Sequence, residues 1–316
     1  MKNNKSKVAI IGAGFVGASA AFALSLNQMV NELVLIDALK EKAEGEAMDI
    51  NHGLPFLGQM SVYGGDYSDC ADCDAIVITA GANRKPGETR IDLAKKNVAI
   101  AKEITSNIMK YYTRGVILVV SNPVDILTYK IQKWSGLPEG RVLGTGTVLD
   151  SARFRYLLSK KLNVDIRNVH GYVIGEHGDS QLPLWSATHI AGKKISEYFD
   201  DPKYNITDEE KAEIAKDVKC AGAEIIKRKG ATYYAIAVAI NTILESLLRN
   251  QNTIRTVSSV INGKYGIDDV ALSLPSIVNA EGVREIIDLP LTAEEQAALE
   301  YSADQLKIIL QNVKDM

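Results

Sequence analysis

Residues 7–17 read "KVAIIGAGFVG", a short apolar run followed at once by three glycines in G-x-G-x-x-G spacing. The spacing alone is a weak signal. Here it follows a predicted strand, opens a predicted helix and precedes Asp37 at the end of the next apolar run, "LVLID". Together these features predict a dinucleotide-binding βαβ unit, in which the helix N-terminus holds the pyrophosphate.

Each residue of this fingerprint has a physical task. Gly12 makes the tight turn, Gly14 lets the backbone approach the pyrophosphate, and Gly17 lets the helix pack against the strand. Asp37 can accept hydrogen bonds from both ribose hydroxyls, whereas a 2′-phosphate would meet a like charge there. The sequence therefore predicts NAD rather than NADP, and the alternative is a glycine-rich turn with a capping aspartate.

Short runs rich in valine and isoleucine alternate with helical patterns through the first half of the chain. The runs are "KVAII", "ELVLID", "DAIVITA", "GVILVVS" and "RVLGTGT", and the helical patterns cover 15–27, 40–51, 90–112 and 124–134. Apolar β-branched runs separated by helices indicate a parallel sheet covered on both faces. We therefore predict a doubly wound α/β sheet, the Rossmann fold, over residues 1–145.

Residues 146–316 follow a different pattern, which predicts a smaller α+β substrate domain. Helical patterns occupy 148–162, 207–228, 231–248 and 292–314, and residues 254–288 alternate like antiparallel strands. No low-complexity linker separates the two parts. The predicted boundary near 145 is accordingly not marked by composition.

Further cofactor contacts are expected where the parallel strands end, because ligands lie at the carboxyl edge of such sheets. Two predicted strands end in "TAG" (79–81) and "VSN" (120–122). The expected cofactor-binding residues are Gly12, Gly14, Phe15, Val16, Gly17, Asp37, Thr79, Ala80, Gly81, Asn97, Val120 and Asn122.

The overall composition excludes several classes of partner. Lysine and arginine total 36 against 39 acidic residues, a net charge of −3, which gives no broad attraction to nucleic acid or to an anionic membrane. No uncharged apolar stretch is long enough to span a bilayer, and the apolar run near the N-terminus is the nucleotide fingerprint rather than a signal peptide. We expect a cytoplasmic protein.

The three cysteines, Cys70, Cys73 and Cys220, favour a reducing compartment over a disulfide scaffold. Cys70 and Cys73 form a C-x-x-C, but no second pair completes a zinc site and no redox helix follows. We therefore expect structural cysteines and no metal site.

Hydride exchange with a nicotinamide requires a neighbouring group that moves a proton on the substrate oxygen, and histidine suits this best. His177 lies between glycines in "IGEHGDS". Asp150, in "GTGTVLDSARFR", is the candidate acid that holds this imidazole in one tautomer. Arg153 lies three residues further on and could grip a carboxylate with two hydrogen bonds; the alternative is an ordinary surface pair.

Taken in order, the motifs "GAGFVG", "GANRKPGETR", "SNPVDI", "GTGTVLDSARFR" and "IGEHGDS" resemble the L-lactate dehydrogenases and their malate dehydrogenase relatives over nearly the whole chain. The resemblance implies that His177 moves the proton, that Asp150 orients it and that Arg153 binds the substrate carboxylate. It also implies that Asn122 hydrogen-bonds the reacting oxygen and that Arg90 polarises the carbonyl from a closing loop, residues 82–90, called the lid below. The implied substrate is a 2-oxo or 2-hydroxy acid, and the implied assembly a homodimer or homotetramer.

The choice of acid depends on the lid. Lactate enzymes of the family typically have glutamine where this chain has Arg84, and malate enzymes have arginine, which pairs with the second carboxylate of oxaloacetate. Thr232, in "KGATYYAI", instead matches the lactate enzymes. Because charge pairing outweighs a small steric difference, we expect malate dehydrogenase activity, with L-lactate dehydrogenase activity as the alternative.

Arg155 and His170 match positions that bind fructose 1,6-bisphosphate across a subunit interface in allosteric bacterial lactate dehydrogenases. The match implies an anion site, with a surface cation and a strand-end histidine as the equal alternative.

Two other functions stay open from the sequence. A non-catalytic NAD-sensing module would leave the catalytic set of residues unexplained, and an NAD-dependent glycosidase on a related fold would require a metal site.

Overall fold

A computed structural model describes residues 6–83, 87–199, 201 and 203–316 of the chain. The first half contributes six strands: β1 (Lys7–Ile11), β2 (Glu32–Ile36), β3 (Ser61–Gly64), β4 (Ala75–Ile78), β5 (Val116–Val119) and β6 (Val142–Gly144). They are parallel and lie in the order β3-β2-β1-β4-β5-β6. This is the order of a doubly wound dinucleotide-binding fold, so the predicted fold class is confirmed.

Four helices cover this sheet: α1 (Phe15–Asn27), α2 (Lys40–Gly53), α3 (Arg90–Met109) and α4 (Val124–Ser135). Every residue of β4 and β5 is buried. That burial explains the continuous apolar runs in the sequence, since both faces of these strands are covered by helices. β3 was not predicted, because it is an edge strand with only one fully buried residue.

The second half begins with α5 (Val148–Leu162) and five two-residue strands: β7 (Val169–His170), β8 (Val173–Ile174), β9 (Leu182–Pro183), β10 (His189–Ile190) and β11 (Lys193–Lys194). It continues with α6 (Asp208–Lys229), α7 (Tyr234–Leu248), β12 (Thr253–Asn262), β13 (Asp268–Asn279), β14 (Gly282–Ile286) and α8 (Ala293–Asn312). The helical and antiparallel patterns seen in the sequence correspond closely to these elements.

The long strands of the second half are antiparallel, as the sequence predicted, and they join the sheet of the first half, which the sequence did not predict. Ser258 of β12 pairs antiparallel with Gly144 of β6, so β12, β13 and β14 extend the parallel sheet to nine strands. A Cβ on Gly144 would lie 2.5 Å from Thr128 Oγ1 and 3.1 Å from Ser258 Cβ. The close packing of α4 and β12 around this point therefore requires glycine.

A third buried cluster fixes α5 in the second half. Phe154 is fully buried, and its ring packs edge-to-face on Trp185 with centroids 5.0 Å apart. Such an aromatic pair adds to the apolar area that the helix buries. The neighbouring residues of α5 are consequently held in a fixed orientation.

Across the described part of the chain, no helix combines the length and apolarity that crossing a bilayer demands.

The glycine that packs α1 on the sheet gives a test of the fold. A Cβ on Gly17 would lie 1.9 Å from the carbonyl oxygen of Gly12, whereas a Cβ on Gly45, exposed in α2, would meet nothing within 4 Å. We expect Gly17→Ala to lower the free energy of unfolding by about 3 kcal/mol through overpacking, and Gly45→Ala to raise it by about 0.5–1 kcal/mol through reduced chain entropy. Urea unfolding followed by circular dichroism measures both; equal effects would contradict the packing argument.

Candidate active site

The glycine-rich turn brings two strand ends into contact. Gly12 has φ of +107°, and a Cβ there would lie 2.6 Å from the backbone nitrogen of Ala80. Thr79 Oγ1 donates a 2.7 Å hydrogen bond to the carbonyl oxygen of Gly12. Gly14, just before α1, has no side chain and therefore leaves the first N–H groups of this helix available to an anion.

The carboxylate of Asp37 is fixed beside this turn. Its Oδ2 accepts the backbone N–H of Ala13 at 2.7 Å, and its Oδ1 accepts that of Leu39 at 2.9 Å. Each carboxylate oxygen can accept more than one hydrogen bond, so both can still receive ribose hydroxyls. The uncapped N-terminus of α1 and the fixed acid suit the diphosphate and ribose of an NAD molecule.

Asn97 joins the two further loops at this edge of the sheet. The side chain is 2% exposed, and its Oδ1 accepts the backbone N–H of Ala82 at 2.7 Å. Its Nδ2 donates to the carbonyl oxygens of Ala82 and Asn122 at 3.1 and 2.6 Å. Asn97, predicted as a cofactor contact, is thereby engaged in holding the loops that end β4 and β5.

The other predicted cofactor residues lie in or beside the turns that follow β1, β4 and β5. Phe15 is exposed and stacks on Tyr233, with ring centroids 5.3 Å apart. Val16 is half-buried, Gly81 is exposed and Val120 is buried. The neighbour of Tyr233, Thr232, is half-buried between α6 and α7, so this turn is next to the cofactor side of the site.

His177 lies on residues 175–180, called the catalytic loop below. Its Nδ1 is 2.6 Å from Oδ2 of Asp150, which is 2% exposed in the first turn of α5. The other oxygen of Asp150 accepts a 2.9 Å hydrogen bond from Arg153. The structure thus joins these three predicted residues in one chain of contacts, in which Nε2 of His177 takes no part.

The charges of this chain shift the pKa values of its members. Burial alone would lower the pKa of His177, but the adjacent Asp150 carboxylate outweighs burial and raises it. Burial alone would raise the pKa of Asp150, but His177 and Arg153 lower it. Both shifts favour a charged pair, so the imidazole is stabilised in its protonated form.

Arg153 does not form an ordinary surface pair, because its side chain is only 16% exposed and its partner is buried. A Cβ on Gly222 of α6 would lie 3.9 Å from one of its terminal nitrogens, so α6 covers the guanidinium closely. A guanidinium has five N–H donors, and one bond to Asp150 leaves others for a carboxylate.

Arg90 of the lid lies beside the catalytic loop that carries His177. Arg90 is the first residue of α3, and Thr89 caps this helix by accepting the backbone N–H of Asp92. The Arg90 guanidinium forms an ion pair with Asp179, two residues beyond His177. Nζ of Lys219 on α6 lies 3.9 Å from the other oxygen of Asp179. Arg84, expected to select the acid, lies outside the described residues.

The catalytic loop has buried partners that the sequence did not reveal. Oδ2 of Asp125 accepts the backbone N–H of His177 at 2.7 Å, and Ser302 Oγ accepts that of Glu176 at 2.8 Å. Asp125 lies in "SNPVDI", where only Asn122 was singled out. A carboxylate inside an otherwise apolar buried helical turn was the available signal.

The predicted anion-site residues lie on different elements. Arg155 is half-buried on α5, and burial lowers its pKa and that of the nearby Arg255. His170 is exposed on β7, opposite His189 of β10. The two-subunit site stays a prediction.

Within the ranges that the structure describes, no group of three or more histidine, cysteine or acidic side chains is placed to hold a metal ion. Cys70 and Cys73 are fully buried free thiols, and burial raises the pKa of each to about 12. Neither thiol is therefore prone to form a thiolate.

Family models match the chain on both sides of the β6–α5 junction. The model described as lactate/malate dehydrogenase, NAD binding domain, matches residues 6–144, and the alpha/beta C-terminal domain of the same family matches 147–316. The chain belongs to the lactate/malate dehydrogenase family. It is an NAD-dependent dehydrogenase that acts on the CH–OH group of a 2-hydroxy acid.

Several relatives of this dehydrogenase match it over nearly their full length. An L-lactate dehydrogenase from a Thermoanaerobacter species is 52% identical over 98% of this chain and 99% of its own. The solved L-lactate dehydrogenase of Clostridium thermocellum is 70% identical with a TM-score of 0.88, covering 98% of this chain and 100% of the other. The minor L-lactate dehydrogenase of Enterococcus mundtii, in its ligands-bound form, is 45% identical with a TM-score of 0.95, covering 99% of each chain.

Removal of the Asp150 charge tests the electrostatics of the dehydrogenase site. Asp150→Asn is expected to lower kcat for reduction of a 2-oxo acid by roughly 10²–10⁴, because the imidazole loses its orienting acid. If His177 is the proton donor, as the family resemblance implies, reduction requires its protonated form and activity falls as pH rises through its pKa. Asp150 raises that pKa; without it, the fall should occur at lower pH. The pH profile of kcat/KM measures the shift.

Asp304→Asn, an exposed acid on α8, is the matched control for Asp150→Asn and should leave the profile in place. An Asp150→Asn enzyme with an unshifted profile would refute the assigned pairing.

Proposed function

We propose that this dehydrogenase acts mainly on pyruvate and L-lactate. The relatives that match nearly the whole chain are named L-lactate dehydrogenases, which supports this choice. Thr232 also matches the lactate enzymes. The comparisons do not support the preference for oxaloacetate that Arg84 had suggested, and the alternative, L-lactate dehydrogenase activity, agrees better with them.

The observation that carries the proposed chemistry is the buried chain His177–Asp150–Arg153, with contacts of 2.6 and 2.9 Å. One side of Arg153 neutralises Asp150, and its remaining donors suit the substrate carboxylate. In this proposal His177 protonates the oxygen of the acid that Arg153 holds. Such a fixed arrangement lowers the barrier, because the groups need not reorganise during the reaction.

In the proposed reaction NADH supplies the hydride to the substrate carbon, and the chain supplies the proton and the stabilising charges. His177 protonates the reacting oxygen through Nε2, and Asp150 stabilises the imidazolium that donates the proton. Asn122 donates a hydrogen bond to the same oxygen. Arg90 exchanges Asp179 for the substrate and polarises the carbonyl as the lid excludes water.

The same proposal divides the chain by task. Residues 1–145 bind the cofactor, and residues 146–316 supply proton transfer and carboxylate binding.

We also propose a homo-oligomer, dimer or tetramer, in which Arg155 and His170 contribute to an anion site. The closeness of Arg155 and Arg255, both half-buried, supports a region that attracts anions.

A second candidate reaction is the reduction of oxaloacetate to L-malate, and Arg84 is the observation in its favour. A guanidinium that is buried without a partner would be strongly unfavourable beside the methyl group of pyruvate. A long arginine side chain can instead keep its charged end in water, which reduces that penalty. Arg84 is therefore compatible with pyruvate while it also favours oxaloacetate.

A comparison of the two acids tests the proposal directly. With NADH at neutral pH, we expect kcat/KM for pyruvate to exceed that for oxaloacetate, by less than the roughly 10⁴ reached by sites fully specialised for a polar group. Steady-state rates across both substrate ranges give the ratio. A preference for oxaloacetate of tenfold or more would contradict the pyruvate assignment and favour the malate reaction.

Substitution of the two lid arginines is expected to have different effects on the two substrates. Arg84→Gln should raise the kcat/KM ratio of pyruvate to oxaloacetate by about tenfold or more, since it removes a charge that only the dicarboxylate pairs with. Arg90→Gln should depress both substrates by roughly 10² or more through lost stabilisation of the developing charge. Arg84→Lys, which keeps the charge without the planar fork, is the control. Equal effects of the two glutamine variants would contradict the division of labour.

A further inference from the structure

A second buried carboxylate approaches His177 from the opposite half of the molecule. Asp125, in the first turn of α4, is 2% exposed, and its Oδ2 accepts the backbone N–H of His177 at 2.7 Å. α4 begins directly after the loop that ends β5, on the cofactor side. Asp125 is thus a direct polar link between the cofactor-binding half and the proposed proton donor.

The surroundings of Asp125 leave its charge only partly compensated. Considering the described residues, Asp125 Oδ1 and Ser258 Oγ are both buried without a hydrogen-bond partner, although this hydroxyl of β12 is close enough to influence the acid. Burial is the largest influence and raises the pKa of Asp125 to about 6, and Glu176 adds to the rise. His177 and Ser258 act in the opposite direction.

The charged groups that face His177 come from three elements. Asp150 and Arg153 face it from α5, Asp125 from α4, and Glu176 precedes it on the catalytic loop. Asp150 contacts the ring, whereas Asp125 contacts the main chain. Two acids from different helices therefore contact different groups of one histidine.

We propose that Asp125 is a positioning residue that fixes the main chain of His177 and, through its negative charge, favours the protonated imidazole. The inference rests on the proposed role of His177. An asparagine could accept the same N–H bond without the penalty of burying a charge that is not fully paired. The presence of an ionisable group at this point therefore indicates that its charge acts on the histidine.

The protonation states of Asp125 and His177 depend on each other, because their charges are opposite. The positive charge of protonated His177 favours the ionised form of Asp125, and the negative charge of Asp125 favours protonated His177. Groups that interact in this way titrate as a pair. Removal of the Asp125 charge must lower the pKa of His177, so the protonated form needed for pyruvate reduction persists over a narrower pH range.

Two substitutions separate position from charge. Asp125→Asn keeps a carbonyl acceptor for the His177 N–H and removes the charge, whereas Asp125→Ala removes both. For Asp125→Asn we expect kcat below pH 6 within about threefold of the parent, and an alkaline fall of kcat/KM displaced downwards by roughly 0.5–1 pH unit. Asp125→Ala should lose tenfold or more in kcat at every pH, because an orphaned buried N–H releases the loop.

The imidazole can be followed independently of activity. Because the chain has only four histidines, NMR titration of labelled histidine rings in the full-length protein can report the pKa of His177 in the parent and in Asp125→Asn. Asp49→Asn, an exposed acid on α2, is the matched control with the same change in net charge. A lower His177 pKa in Asp125→Asn alone, with thermal stability recorded in parallel, supports the proposal.

Other outcomes overturn it. An unshifted His177 pKa in Asp125→Asn, whatever the stability of that variant, means that the charge does not act on the histidine. Loss of activity in Asp125→Asn equal to that in Asp125→Ala means that retaining the acceptor does not position the loop. His177→Gln distinguishes these failures from failure of the proposed function: if it still reduces pyruvate, His177 is not the proton donor, whereas an inactive His177→Gln leaves only the role of Asp125 at issue.

Discussion

The antiparallel pairing of β12 with β6 is the constraint on which the rest of the structure depends. It joins the strands of both halves into one sheet through Ser258 and Gly144. The absence of a side chain on Gly144 lets Thr128 of α4 and Ser258 of β12 approach to distances that a Cβ would prevent. The first turn of α4 consequently lies beside the catalytic loop, and one site draws on both halves of the chain.

Two helices each deliver a buried aspartate to His177 from the first turn, Asp125 from α4 and Asp150 from α5. The positive end of a helix dipole stabilises an anion at this position and offsets part of the penalty of burial. The pKa of Asp150 is lowered, since His177 and Arg153 both compensate it, whereas that of Asp125 is raised, since burial dominates there. Identical residue types therefore differ in acidity because their partners differ.

The sequence predicted those features that depend on local patterns. The run from Lys7 to Gly17 followed by Asp37 predicted the Rossmann sheet, and continuous apolar runs marked β4 and β5 because both of their faces are buried. It did not predict the β6–β12 pairing, since a contact between distant strands leaves no local periodicity. Asp125 was missed for a related reason: its partner is a main-chain N–H, which no side-chain motif records. The expected preference for oxaloacetate is not supported by the relatives, because Arg84 and Thr232 favour different substrates and the charge of Arg84 was given the greater weight.

The ion pair between Arg90 and Asp179 has a consequence for the lid. Both side chains are more than half exposed, so the pair contributes little to stability and is weakened by salt. Arg90 can therefore leave Asp179 at a small free-energy penalty. While it is paired with this hydrated carboxylate, it is not an isolated buried cation. In the proposed mechanism, arriving substrate would replace one anion by another, so that Arg90 keeps a charged partner during the exchange.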